Sequence, residues 1–347
     1  MPMHIALVTP SAVGGVATTQ NKLYRGLVGE GFHVDLIKLR SLPYAVVDDF
    51  LNGKRLAEYD LVLYTGSIPW PGHILAKLTG TPTALFIHGF LYHELSHVLL
   101  HGESLRGRLV AAAFITLFQA SKYFNTVDLY ICRSLTTCEN NKISKEFVLL
   151  PHWVFPEEVR ISIRRTSDND IIRVVTYMSY AESPRLLNTS DFVALAQAVR
   201  RVTSRRVEFI VISPRGGSAP DPVRIVKPMP REKFLALLES AHLYVERCID
   251  EELGHVSLEA LAVGTPVAKL THRRYWDRQD YGEEDLIVAP TFRGLIERIA
   301  EYINNVDSYY DYYSRRGREF VLNKRVWSAV RGPFLAALRR VEDEVPF

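Results

Sequence analysis

Two glutamates, Glu251 and Glu259, stand with seven residues between them in the stretch EELGHVSLEALAVGTPV, which runs from Glu251 to Val267. Gly254 lies in the loop between them, and Glu259 falls inside an apolar run with helical spacing. Where a loop opens a helix, unpaired amides and the helix dipole together make a site for an anion such as a diphosphate. The amides of Gly254, His255 and Val256 are the candidates here. A carboxylate accepts from two vicinal hydroxyls at once, so the two glutamates suit the hydroxyls of whatever the phosphates carry. The helix dipole alone explains an acid near a helix start. It does not explain the glycine loop, or an acid about a turn inside an apolar helix.

Other residues could join this chemistry. Gly14-Gly15 follows the first apolar run and precedes a helical pattern, where a backbone without Cβ can approach a ligand closely. No G-x-G-x-x-G is present, so a nicotinamide or flavin fingerprint is absent. His88 ends a buried strand at its carboxyl end, where open α/β sheets place ligands. Arg185, in a loop between strand and helix, offers a fixed positive charge for a diphosphate leaving group. A rival constellation is His93-Glu-Leu-Ser-His97, which matches the zinc-binding H-E-x-x-H pattern. No glycine-spaced third histidine follows it, and a strand-rich α/β chain is an odd setting for it. The apolar stretch Leu105 to Phe124 carries Arg106, Arg108 and Lys122 at its ends, and reads either as a buried helix or as one lying on a membrane surface.

These residues need a scaffold that brings strand ends together. Apolar runs at His4–Pro10, His33–Leu39, Leu61–Thr65, Thr83–His88, Leu129–Cys132 and Phe147–Leu150 predict a first series of strands, most of them separated by helical patterns. The first helical pattern runs through Leu23, Leu27 and Val28 and ends at Gly31. The polar stretch Val159 to Asp170 reads as a linker. A second series follows at Ile172–Tyr177, Val207–Ser213, Val223–Val226, His242–Glu246, Pro266–Leu270 and Leu286–Ala289, with a helix over Asp191–Val202. From Phe292 the chain reads helical almost to its end. Alternating strands and helices imply two α/β domains with parallel sheets.

A chain of 347 residues with a net charge of +3 fits two domains and carries no clustered basic face for nucleic acid. Cys132, Cys138 and Cys248 form neither a disulfide framework nor a zinc knuckle by spacing, which favours a reducing, cytoplasmic compartment. The N-terminus has no signal-peptide pattern, and the longest apolar run is too short to span a bilayer.

The Glu251–Val267 stretch resembles the E-x7-E signature of retaining GT-B glycosyltransferases of the glycosyltransferase family 4 type. Gly14-Gly15, His88, Pro151-His-Trp-Val-Phe155 and a terminal helix around Trp327 extend the resemblance over nearly the whole chain. It implies two Rossmann-like domains facing a cleft: residues 1–158 for the acceptor, 171–325 for the nucleotide sugar, and 326–347 as a helix returning to the first domain. It implies a nucleoside-diphosphate sugar as donor, a glycan, lipid-linked or small-molecule acceptor, and no metal or other cofactor. By position, Glu251 would hold the donor sugar, Glu259 the ribose, the Gly254–Val256 amides and Gly15 the diphosphate, and His88 the sugar near the reacting centre. Arg185 takes the place of the basic residue on the leaving phosphate. The base would sit around Pro228 to Arg231. Two positions depart from the pattern: Glu252 replaces a glycine, and Met178-Ser179-Tyr180 replaces a Gly-Arg, so Ser179 can hydrogen-bond a phosphate but not neutralise it. A nucleotide-sugar-binding protein without activity, a GT-B epimerase or phosphorylase, and a zinc hydrolase built on His93 and His97 remain as alternatives. The resemblance leaves the oligomeric state open, and places the chain in the cytoplasm or at the inner face of a membrane.

Overall fold

The computed structural model describes residues 2–10, 15–39, 55–65, 76–87, scattered helical positions between 99 and 119, 127–143, 145–159, 171–178, 186–214 and 216–343. His88, His93, His97, Ser179 and Arg185 lie outside these, as do Gly14 and residues 160–170 of the expected linker. The chain divides into two units: Met1–Pro151 with Val330–Phe347, and His152–Ala329.

In unit 1, β1 (His4–Pro10), β2 (His33–Leu39), β3 (Leu61–Thr65), β4 (Thr83–Ile87), β5 (Leu129–Cys132) and β6 (Phe147–Leu149) form a parallel sheet in the order β2-β1-β3-β4-β5-β6. Ala6, Val8, Val62, Tyr64, Leu85 and Ile87 pack in one core, while Ile5, Leu7, Leu61, Leu63 and Phe86 are buried as well. Both faces are therefore covered, as continuous apolar strands require. Helix α1 (Gly15–Gly29) buries Leu23 and Leu27 but leaves Val28 exposed, and it stops two residues before Gly31, whose φ of +87° turns the chain into β2.

The cysteine reading needs correction. Cys132, the last residue of β5, is disulfide-bonded to Cys138 of α2 (Leu135–Asn140), with Cα atoms 5.7 Å apart. A strand that runs straight into a helix brings the two together, which spacing alone did not reveal. The cysteines thus give no argument for a reducing compartment.

In unit 2, β7 (Ile171–Tyr177), β8 (Arg206–Ile212), β9 (Val223–Val226), β10 (Leu243–Val245), β11 (Val267–Leu270) and β12 (Ile287–Ala289) form a second parallel sheet in the order β12-β11-β10-β7-β8-β9. Helices α3 (Thr189–Val202), α4 (Arg231–Ser240), α5 (His255–Ala262), α6 (Phe292–Asn304) and α7 (Val306–Lys324) cover it. Side chains alternate between its faces. Phe209, Val211, Leu243, Val245 and Ala268 pack with α3 and α6, and Ile210, Ile212, Tyr244, Val267 and Val288 pack with α4, α5 and α7. Helix α3 starts two residues before the expected Asp191 because Asn188 and Asp191 cap it reciprocally, Asp191 N donating to Asn188 Oδ1 at 2.9 Å and Asn188 N to Asp191 Oδ2 at 2.9 Å.

Residues 152–158, expected in the first domain, belong to unit 2. Val154 N donates to Arg325 O at 2.9 Å and Trp327 N to Val154 O at 3.0 Å, while the Trp153 and Trp327 rings pack 5.1 Å apart. Helix α8 (Trp327–Asp343) then continues into unit 1, where Arg331 pairs with Glu30 and Arg340 with Glu146 at 2.7 Å. No helix among the described residues is long and apolar enough to cross a membrane.

A close helix contact lies behind the Glu251–Val267 stretch. A Cβ on Gly317 of α7 would come within 2.5 Å of Leu261 Cδ2, and Leu261 is fully buried in α5. Gly317→Ala is expected to destabilise unit 2 by about 1–3 kcal/mol, the usual cost of overpacking. Urea unfolding followed by circular dichroism measures it, and an unchanged midpoint would count against this close approach.

Candidate active site

From β7 the chain steps outward through β8 and β9, and from β10 it steps the other way through β11 and β12. The strand order therefore reverses between β7 and β10, and open α/β sheets bind ligands outside the carboxyl ends of the strands at such a point. At the carboxyl end of β10 begins the loop Glu246–Gly254, which leads into α5.

A buried carboxylate shapes this loop. Glu246 follows Tyr244 by two residues and so faces the same side of the sheet. Its Oε1 accepts from Arg247 N at 2.7 Å and Cys248 N at 2.9 Å; its Oε2 accepts from Gly254 N at 2.9 Å and Ser257 Oγ at 2.5 Å. Both ends of the loop are thus gathered on one side chain. A Cβ on Gly254 would lie 2.9 Å from Glu246 Oε2, so glycine is the residue that lets the loop close on the carboxylate. The Gly254 amide, expected to face a diphosphate, is engaged by Glu246 instead. Val256 and Ser257 continue the first turn of α5, whose amides have no intrahelical carbonyl.

Lys269, two residues beyond Val267 on neighbouring β11, faces the same side and is fully buried; its Nζ donates to Cys248 O. Burial alone would drive the Lys269 ammonium down, but Tyr281, Glu246 and Asp250 hold its pKa above the usual lysine value. Burial alone would raise Glu246. Lys269, the Ser257 hydroxyl and the Cys248 and Gly254 amides hold it below the usual carboxylate range. The two groups are buried opposite charges on neighbouring strands, and each favours the charged form of the other.

Three acids follow. Asp250 is 1% exposed, and its Oδ1 accepts from Glu252 N at 3.0 Å while its Oδ2 has no hydrogen-bond partner among the described residues. Burial, then repulsion by Glu252, pushes its pKa up to about 7, against the pull of Lys269. Glu251 is 6% exposed, so it is buried, not surface-facing as an isolated loop glutamate would be. Glu259, 4% exposed, accepts from Arg231 Nη1 at 2.8 Å, and Arg231 Nη2 lies 3.4 Å from Glu158. Arg231 therefore anchors Glu259 from the segment where the sequence placed the base.

Two further groups at the site escaped the sequence reading. His152 packs its ring on that of His255, with centroids 3.8 Å apart, so the Pro151–Phe155 stretch reaches the start of α5. Arg247 sits in the loop itself: its Nε donates to Leu187 O at 3.3 Å, Leu187 N donates to Arg247 O at 2.8 Å, and Leu186 bridges Cys248. The segment that follows Arg185 is thereby fastened alongside the loop. Gly15, in unit 1, is the first residue of α1. A signal for Glu246 and Lys269 did exist, namely a charge at a core-facing position on each of two predicted strands. A cavity of about 410 Å³ elsewhere in unit 2 is lined by Arg298, Tyr302, Tyr309, Tyr312 and Tyr313, and none of the expected site residues lines it.

No protein-family model and no curated protein sequence matches the chain. Solved structures do. Sucrose-phosphate synthase from Thermosynechococcus elongatus superposes with a TM-score of 0.66 at 15% identity, over 98% of this chain and 99% of that one. Anabaena HepE in complex with UDP-glucose gives 0.66 at 13%, over 97% and 100%. The lipopolysaccharide outer core galactosyltransferase WaaB in its apo form gives 0.62 at 12%, over 97% and 99%. At these identities the likeness establishes the fold, the two-sheet GT-B architecture, along the whole chain.

Two outcomes follow from the buried charges. Lys269→Met leaves Glu246 and Asp250 uncompensated and is expected to cost about 3–5 kcal/mol, measured by chemical unfolding. The Asp250 pKa is raised in the folded state, so its stabilising contribution is complete below about pH 4 and fades as pH rises towards about 7. Asp250→Asn removes that dependence. Its Tm at pH 8.5 is expected to exceed the parent's by about 2–4 °C, with the gap closing by pH 5. Parallel pH profiles of Tm for the two proteins would contradict the assignment.

Proposed function

We propose that this chain is a glycosyltransferase that moves a sugar from a nucleoside-diphosphate sugar to a carbohydrate or lipid-linked acceptor, retaining anomeric configuration as family 4 enzymes do. The observation that carries the reading is the loop at the strand-order reversal, which Glu246 closes so that Glu251, the α5 amides and Glu259 follow one another at fixed spacing. The UDP-glucose complex of HepE and the likeness to the galactosyltransferase WaaB support a nucleotide sugar as donor.

In this proposal Glu251 binds donor sugar hydroxyls and Glu259, anchored by Arg231, binds the ribose. The first-turn amides of α5, with Ser179, take the diphosphate. The bond between the sugar C1 and the diphosphate oxygen breaks, and its electron pair leaves on the diphosphate. The acceptor hydroxyl then forms the new bond on the same face and releases its proton. Arg185 stabilises the departing charge, and Arg247 adds a second cation that the departure at Ser179 had removed. No metal takes part. Unit 1 receives the acceptor. Leu105 and Leu109, one helical turn apart and exposed, with Arg106 and Arg108 between them, support a lipid-linked acceptor and peripheral contact at the inner face of a membrane.

Thermal-shift screening against UDP, GDP and ADP, followed by turnover assays with the matching donor sugars, tests this reading. One nucleotide is expected to raise Tm. Glu251→Gln should keep that shift and lose about 10²–10³-fold in transfer. Absence of any nucleotide shift, or near-parental turnover in Glu251→Gln, would overturn the proposal. A shift without nucleotide release from any donor and acceptor would identify a binding protein instead.

A further inference from the structure

At the amino ends of β1 and β2, opposite the end where α/β sheets bind their ligands, three metal-ligating side chains converge. His4 and His33 are register partners on the paired strands, and Asp35 lies two residues beyond His33 on the same strand face. His4 Nε2 is 3.1 Å from Asp35 Oδ2 and His33 Nε2 is 4.0 Å from Asp35 Oδ1. One ligand atom from each of the three residues lies within 4.8 Å of the others. We propose that His4, His33 and Asp35 bind a divalent transition metal of the zinc class.

The donor set argues for that class. Two imidazoles and one carboxylate suit Zn(II), Co(II) or Ni(II), whereas Mg(II) and Ca(II) require oxygen ligands. Bonds of about 2.0–2.1 Å in tetrahedral geometry put ligand atoms about 3.4 Å apart. The His4–Asp35 edge is already that short. The remaining movement falls to His33, whose side chain is 64% exposed and can swing, while its backbone is held by donation from His33 N to Met3 O at 3.1 Å. The His4 backbone is fixed from both sides, its N donating to Asp60 Oδ2 at 2.7 Å and its O accepting from Asp60 N at 2.9 Å.

A supporting layer is also present. Tyr59 donates its hydroxyl to Asp35 Oδ2 at 2.9 Å, the kind of partner that orients a metal-binding carboxylate. The His4 ring meets that of His33 edge-on at 4.4 Å and lies 4.5 Å from that of Tyr59. Three protein ligands leave a fourth position for water. The metal would clip β2, an edge strand, to β1 and so stabilise unit 1 by binding only the folded chain.

The test uses the full chain, freed of metal with EDTA and titrated calorimetrically with ZnCl2 in a non-chelating buffer, and with CoCl2 for its visible spectrum. One equivalent of Zn(II) is expected to bind, with Co(II) giving the intense visible bands of a four- or five-coordinate site. A saturating excess of Zn(II) should raise Tm by about 5 °C. His33→Ala and Asp35→Asn, both at exposed side chains, should weaken binding at least tenfold with unchanged circular dichroism. His97→Ala should bind as the parent does. Retention of the equivalent in His33→Ala and Asp35→Asn, or its loss in His97→Ala, would overturn the proposal, as would no Zn(II) binding by the parent chain.

Discussion

The candidate site depends on the buried opposite charges of Glu246 and Lys269. The two are fully or nearly fully withdrawn from water on the same side of adjacent parallel strands. Desolvation makes such a pair expensive, and it persists only when the remaining hydrogen-bonding capacity is filled. That condition determines the loop. The Glu246 carboxylate needs several donors, and it finds them in two amides at the start of the loop, one at its end, and a hydroxyl in the first turn of α5. The loop is drawn into shape because the buried charge must be satisfied. Lys269 completes the arrangement by donating to Cys248 O in the middle of the turn.

Sheet topology explains why this device sits where it does. A parallel sheet has its loops free at the carboxyl ends, and only where strand order reverses do two adjacent strands send their chains in opposite directions. β7 and β10 are that pair. Helix α5 must then start close above the sheet, and the absence of a side chain at Gly254 on one flank and Gly317 on the other allows it. The same helix carries Glu259 about one turn in, where Arg231 from the start of α4 meets it. Each glycine and each charge is thus tied to the position of one short helix.

Much of this was legible in the residues. The strand segments of the two sheets came from apolar runs, clearest in central strands such as β3 and β4, which are buried along their whole length. The spacing of Glu251, Gly254 and Glu259 marked the loop and helix. What the sequence hid were relations across strands. Glu246 and Lys269 sit at the ends of otherwise apolar segments, and only register shows them side by side. Cys132 and Cys138 are likewise joined by a strand-to-helix turn whose geometry no spacing rule captures. The His152–Phe155 stretch belongs with unit 2, where Val154 pairs with Val326, a contact across about half the chain. His88, Ser179 and Arg185 fall outside the described residues, so their part of the site rests on sequence alone.

Electrostatics imposes a division of labour on the proposed chemistry. Asp250, Glu251 and Glu252 are consecutive acids, and burial, with their repulsion added, pushes the Asp250 pKa up to about 7. A diphosphate placed among them would face the same repulsion. Neutral hydroxyls would not, since they donate to carboxylates without adding charge. The acidic segment therefore suits the sugar, and the diphosphate is driven towards the positive end of α5 and the guanidinium of Arg247. The proton on Asp250 reduces the negative charge that remains between the two. In this view Glu252 is tolerated because the acids beside it are shared among a buried lysine, a backbone amide and a proton.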